Sequence, residues 1–118
     1  MKRNMDLIRQ ILLAVEANAS GYMPCELNID GFSEEEIAYH TCLLKEAELI
    51  DGVESESRGG REIAPIRLTW AGHEFLDASR EPTRWKEAKE AIGKIGGASL
   101  TVWTTVLTQI VLKSLGLK

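Results

Sequence analysis

Tyr39-His40-Thr41-Cys42-Leu43-Leu44-Lys45-Glu46-Ala47-Glu48-Leu49-Ile50 passes from a helical pattern to an extended one within a few residues, and it decides the fold. The helix is opened upstream by Ser33-Glu34-Glu35-Glu36. This is a capping box: the Ser33 hydroxyl can accept from the Glu36 N–H, while the Glu36 carboxylate reaches back to the Ser33 N–H. The spacing predicts a helix to about Glu48, with Ile37, His40, Leu43, Leu44 and Ala47 on its inner side. Glu34, Glu35, Ala38, Thr41, Cys42, Lys45 and Glu46 are expected on the outer side.

Two extended runs follow. Leu49–Ser57 contains Ile50 and Val53, and Ser57-Arg58-Gly59-Gly60-Arg61 reads as a loop. The return run places Ile66, Leu68 and Trp70 on one face and Arg67 and Thr69 on the other. A glycine pair between two such runs signals a hairpin, because tight hairpin turns need positive φ. Pro65 suits an edge strand, since it has no N–H to give to a ladder. Thr69 is placed to cap a further helix with Phe75 and Leu76 inward, and Gly72 allows close approach of a neighbour.

Upstream, Met5, Ile8, Ile11, Leu12 and Val15 form an amphipathic stripe capped by Asn4 and ended by Asn18-Ala19-Ser20-Gly21. Leu27-Asn28-Ile29 is a candidate short strand. Downstream, Glu81-Pro82 breaks the chain or restarts a helix, because proline is favoured in a first helical turn. Its stripe is Trp85, Ala88, Ile92 and Ile95, and Gly96-Gly97 ends it. Ser99 then caps a last helix through Leu115.

The predicted class is α+β, mostly helical. Helix, short strand, helix, hairpin, helix is the order of a winged helix-turn-helix domain. Residues 1–80 are expected to form it, and residues 81–118 a C-terminal helical extension that packs on the domain or on a second copy. Tyr39 to Ile50 resembles the end of the recognition helix and the first wing strand of many winged-helix regulators, except that Glu48 stands where a turn glycine is usual. Asn4-Met5-Asp6-Leu7-Ile8-Arg9, Tyr39-His40 and Leu68-Thr69-Trp70-Ala71-Gly72-His73-Glu74-Phe75-Leu76-Asp77 resemble, more narrowly, a family of short bacterial and prophage proteins, domain of unknown function 2513. That resemblance implies a bacterial or phage setting and brings no activity and no functional residues.

The chain has 118 residues, 44% hydrophobic and 27% charged, which fits one small globular domain. Its net charge of −4 is unevenly spread. Residues 1–50 carry four basic and nine acidic side chains, and residues 80–118 carry seven and three. Phosphate neutralisation supplies most nucleic-acid affinity, so an acidic first half opposes strong DNA binding. Cys25 and Cys42, with no export signal, read as free thiols in a cytoplasmic protein.

The candidate sites follow from these placements. Arg58, Arg61 and Arg67 on the hairpin, with Lys45, Arg84 and Lys86, and Arg80 and Lys89 beside them, are the candidate contacts to double-stranded DNA. Glu54, Glu56 and Glu62 stand among the hairpin arginines, and a solvated hairpin with cross-strand ion pairs is the competing account. The acidic outer face of the Glu34–Glu48 helix is the candidate surface for a protein partner. No catalytic set, cofactor or metal is expected. His40 and Cys42 at i and i+2 point to different sides of a helix, and His40 on the apolar stripe reads as a core histidine. The glycine pairs lack the lysine and context of a phosphate loop.

Residues 98–112 contain no charged side chain. Leu100, Trp103, Val106, Leu107 and Ile110 form a stripe expected to serve a homodimer interface, and the threonines between them make a membrane span a poor fit. The leading expectation is a non-enzymatic winged-helix regulator of bacterial or prophage origin that binds DNA weakly or conditionally through its wing. The alternative is a winged-helix module that binds protein through the acidic helix.

Overall fold

The computed structural model describes residues 1–57 and 60–117. Among these, five helices and one two-stranded antiparallel sheet run in the order α1 (Met5–Asn18), α2 (Glu34–Glu46), β1 (Ile50–Ser57), β2 (Gly60–Leu68), α3 (Trp70–Ser79), α4 (Pro82–Gly93) and α5 (Leu100–Ser114). The protein is α+β and mostly helical. Its contacts divide it into two compact units, Met1–His73 and Glu74–Lys118, with the boundary inside α3.

In the first unit, the Asn4 side-chain oxygen caps α1 by accepting from the Asp6 and Leu7 N–H groups at 2.9 and 3.2 Å. Leu7, Ile8, Ile11, Leu12 and Val15 are buried on its inner face. The Ser33 capping box forms as the sequence indicates, with both reciprocal bonds at 3.1 Å. The inner face of α2 is turned partway from expectation: Ile37, His40 and Leu44 stay on it, Thr41 joins them, and Leu43 and Ala47 leave it. His40, Thr41 and Leu44 are buried, Ile37 is half-buried and Ala47 is exposed. Ile37, His40, Thr41 and Leu44 are an i, i+3, i+4, i+7 set, and burying them turns Leu43 toward the surface. Thr41, expected outside, is inside, and its hydroxyl donates to the Ile37 carbonyl at 2.7 Å.

The helix stops at Glu46, and Glu48 adopts φ of 60°, the left-handed conformation that normally selects glycine. The Leu49 N–H donates back to the Leu44 carbonyl and the Glu48 N–H to that of Lys45, both at 3.0 Å. These bonds satisfy carbonyls that the helix end leaves open. The chain then enters β1 with Leu49 and Ile50 buried.

The return strand is longer than the sequence suggests: Gly60 pairs with Ser57, so Gly60 and Arg61 belong to β2 rather than to a loop. Arg58 and Gly59 lie outside the described residues. The alternation expected on the return strand is broken by a bulge. Asp51 pairs with Arg67 and Gly52 with Pro65, so Ile66 has no opposite number. Ile63 and Pro65 therefore point inward, the phase slips at Ile66, and Leu68 points inward again. Trp70 is not on this face; it opens α3 and is 81% exposed. Residues 24–29, which include the candidate strand Leu27-Asn28-Ile29, form neither a helix nor a strand. Their one backbone bond to β2 is from the Cys25 N–H to the Pro65 carbonyl, 2.8 Å.

In the second unit, Phe75 and Leu76 of α3 are buried, as the sequence indicates. The Glu81 carboxylate caps α4, accepting from the Thr83 and Arg84 N–H groups at 3.0 and 2.9 Å, with Pro82 in the first turn. α4 packs on α5. The Trp85 and Trp103 rings stack at 4.7 Å, and Phe75 meets Trp85 edge-on at 6.4 Å. α4 ends at Gly93, so Ile95, expected to extend its stripe, lies beyond it and is 67% exposed. No helix among the described residues is long and apolar enough to cross a membrane.

Candidate functional site

The first unit carries an open cleft of about 580 Å³ along the outer side of α2, beside β2. Ala38, Cys42 and Leu43 give it an apolar floor, flanked by Met1 and Tyr39. Glu34, Glu35, Glu46 and Glu62 stand around it, with Arg61 the one basic lining residue. An adjoining cleft of about 440 Å³ shares Glu34, Ala38 and Glu62 with the first and reaches Cys25 and Leu27. Both belong to a unit that carries thirteen carboxylates against seven basic side chains.

The hairpin arginines face carboxylates. Arg61 is ion-paired to Glu54 across the strands and lies 3.7 Å from Glu46 of α2. Arg67 pairs with Asp51 at 2.5 Å and also donates to the Leu68 carbonyl. Such exposed pairs add little stability. Their effect is on the field, because each guanidinium is neutralised where a phosphate would have to be met. Lys45 is half-buried on α2. Arg84 and Lys86 lie on α4 in the second unit, Arg84 reaching the Asp77 carbonyl at 3.5 Å and Lys86 exposed. Arg80 pairs with Asp77 at 3.0 Å.

His40 is 1% exposed and held at both ring nitrogens. Nε2 accepts from the Asn4 N–H at 2.7 Å, so Nδ1 carries the proton and donates to the Glu36 carbonyl at 2.8 Å. It is a core histidine that ties the start of α1 to α2. Cys25 and Cys42 are free, and burial pushes both thiols up from their ordinary range, with Arg61 opposing the shift only in part at Cys42. A protonated thiol is a poor nucleophile and a poor metal ligand. Among the described residues no group of three His, Cys, Asp or Glu side chains is arranged to hold a metal ion.

The C-terminal stripe is covered within the chain. Trp103, Leu107 and Ile110 are buried, and Leu100 and Val106 are half-buried. The face expected to meet a second copy is thus the face that α5 turns inward. Of the residues that line the cleft, Glu34, Glu35, Ala38, Cys42 and Glu46 are on the outer side expected from the sequence, whereas Leu43 was missed because it reads as a core leucine. The signal was present in His40-Thr41-Leu44, where threonine is small enough to be buried if its hydroxyl bonds back along the helix.

Together, the fold and the cleft define a small, mostly helical α+β protein with an acidic, apolar-floored surface between a helix and a hairpin. The chain belongs to the family described as hypothetical protein DUF2513, whose model matches residues 2–99. It is 40% identical over 94 residues to an uncharacterized protein of Haemophilus influenzae, covering 78% of this chain and 79% of that protein. No solved structure matches it.

Proposed function

We propose that the chain is a non-enzymatic interaction protein whose first unit, a winged-helix variant, binds a basic amphipathic segment of a protein partner on the outer side of α2. The winged-helix reading is supported by the order α1, α2, hairpin, α3 and by the passage of α2 directly into the first hairpin strand. The observation that carries the functional reading is the cleft itself, four glutamates around Ala38, Cys42 and Leu43. An apolar floor offers burial to one or two side chains, and the carboxylates favour lysine or arginine flanking them.

Double-stranded DNA is the weaker candidate, because Arg61 and Arg67 each face a carboxylate and the unit around them is acidic. The two ligands separate in one experiment. Fluorescence anisotropy is measured with a labelled peptide of alternating lysine and leucine blocks, and in parallel with a labelled mixed-sequence duplex, across a salt series. Peptide binding that Glu35→Lys with Glu46→Lys abolishes supports the proposal. Duplex binding that falls steeply with salt, with no peptide binding, restores the regulator reading.

A further inference from the structure

β2 has an edge that β1 does not cover. On that side the Pro65 carbonyl accepts from the Cys25 N–H at 2.8 Å, and Pro65 has no N–H of its own to offer there. Backbone groups face one side of a strand at every second residue. The ladder is regular from Pro65, opposite Gly52, to Arg61, opposite Glu56. The N–H and C=O groups of Ile63 and Arg61 therefore face the same open side. Among the described residues, no backbone hydrogen bond closes that side beyond the one from Cys25. Half-buried Cys25, Leu27 and Ile29 alternate with exposed Glu26, Asn28 and Asp30, the pattern of a strand, yet the pairing stops at Cys25. Ile63 keeps 7% of its surface exposed. A backbone group with neither a partner nor ample water costs free energy that the backbone of a ligand can recover.

We infer that the partner's basic segment is held as an extended strand added to this edge of β2, paired through the backbone of Ile63 and Arg61. This rests on the proposed function, that the first unit takes a basic segment, and adds the conformation in which the segment is held. The edge joins the two clefts: Ile63 lines the cleft of about 440 Å³, Arg61 the one of about 580 Å³, and Glu62 both. A strand that starts where the Cys25 bond leaves off thus runs into the cleft floored by Ala38, Cys42 and Leu43. A polypeptide backbone carries donors and acceptors at the spacing of a strand edge, which makes the ligand a peptide rather than a small molecule. Charge selects its side chains. The smaller cleft is lined by Glu26, Glu34 and Glu62 and, among the described residues, by no basic one. Lysine or arginine at alternate positions meets these carboxylates, while the apolar residues between them meet Ile37 and Ala38.

Amide hydrogen exchange followed by NMR tests it, on the full chain with an alternating lysine–valine peptide whose binding is measured by anisotropy. At saturating peptide the Ile63 N–H is expected to exchange about tenfold more slowly than in the free chain. The slowing should exceed that at Ala64, whose N–H faces β1. The same peptide N-methylated at every backbone nitrogen is expected not to bind, nor is a glutamate–valine peptide. Lysine–valine binding that leaves Ile63 exchange unchanged would overturn the added strand and leave the basic-segment reading in place. Equal binding of the methylated peptide would do the same, and equal binding of the glutamate–valine peptide would overturn the charge selection. No binding of the lysine–valine peptide would overturn the added strand. If the peptide of lysine and leucine blocks also failed to bind, the proposed function would fall with it.

Discussion

The Thr69 hydroxyl donates a 2.6 Å hydrogen bond to the main-chain carbonyl of Glu48, and its oxygen accepts from the Gly72 N–H at 3.1 Å. The Thr69 N–H meanwhile donates to the Leu49 carbonyl at 3.0 Å. A single residue therefore caps α3 and holds the left-handed turn that ends α2. The outer side of α2, with its cleft, is oriented relative to the hairpin through this knot, so what happens at Glu48 and Gly72 bears on the cleft as well as on stability.

Glu48 occupies the left-handed region without the freedom of glycine. An L side chain there costs about 1 kcal/mol or more, part of which glycine returns through its larger unfolded-state entropy. Glu48→Gly is expected to raise unfolding free energy by roughly 0.5–1 kcal/mol, seen as a higher urea midpoint at unchanged slope. A lower midpoint would mean that the Glu48 side chain contributes something its backbone strain does not reveal.

Gly72 has the opposite requirement. A Cβ built on it would run into the Leu49 carbonyl, which is main chain and already accepts from the Thr69 N–H. Relief requires α3 to move away from the end of α2. Gly72→Ala is expected to cost about 2–3 kcal/mol, the upper part of the range for overpacked sites, and to weaken peptide binding at the cleft. Thermal unfolding with the anisotropy measurement checks both.

Much of this architecture was legible in the sequence because it is written in local chemistry. Asn4, Ser33, Thr69, Glu81 and Ser99 each mark a helix start that side-chain capping enforces. What was not legible depended on partners distant in the chain. The bulge at Ile66 shifts which residues of β2 face inward, and no periodicity within β2 announces it. The burial of Thr41 in place of Leu43 is likewise set by tertiary packing, since His40, fixed by the Asn4 N–H, faces inward in either reading of α2. The sequence left Arg61 and Arg67 open between DNA contacts and cross-strand ion pairs; which carboxylate each meets depends on the register, Asp51 directly opposite Arg67 and Glu54 reached diagonally by Arg61.

Leu107 is fully buried on α5, whose inner face packs on α4. Leu107→Ala is expected to destabilise the protein by about 3 kcal/mol through the lost burial and the cavity left behind. Leu107→Glu, which places a charge in the same position, is expected to unfold the second unit, with loss of helicity and a red shift of Trp85 and Trp103 emission. A well-folded Leu107→Glu chain would show that α5 detaches from α4 without harm.

The two thiols give a test that needs no ligand. Burial raises both Cys25 and Cys42, so little thiolate is present at neutral pH. Both should react with a disulfide reagent more slowly than free cysteine at pH 7, with rates that climb as pH rises. A peptide bound in the cleft should slow Cys42, which lines the floor, more than Cys25, which lines only the adjoining cleft. Equal slowing, or none, in the presence of bound peptide would place the peptide elsewhere.

Glu81 supplies the pH dependence. Its carboxylate is held below the ordinary range first by the Thr83 N–H, then by the Arg84 N–H, at the start of α4. A carboxyl group whose folded pKa is depressed stabilises the fold above its unfolded pKa, and that contribution disappears as pH falls through the folded value. Wild type should therefore exceed Glu81→Gln in thermal stability at neutral pH, and the difference should shrink through the acid range and vanish below the folded pKa of Glu81. Glutamine can still accept one bond from the helix start, so the variant isolates the charge from the cap. A difference that stays constant down to strong acid would mean that Glu81 acts by hydrogen-bond geometry alone.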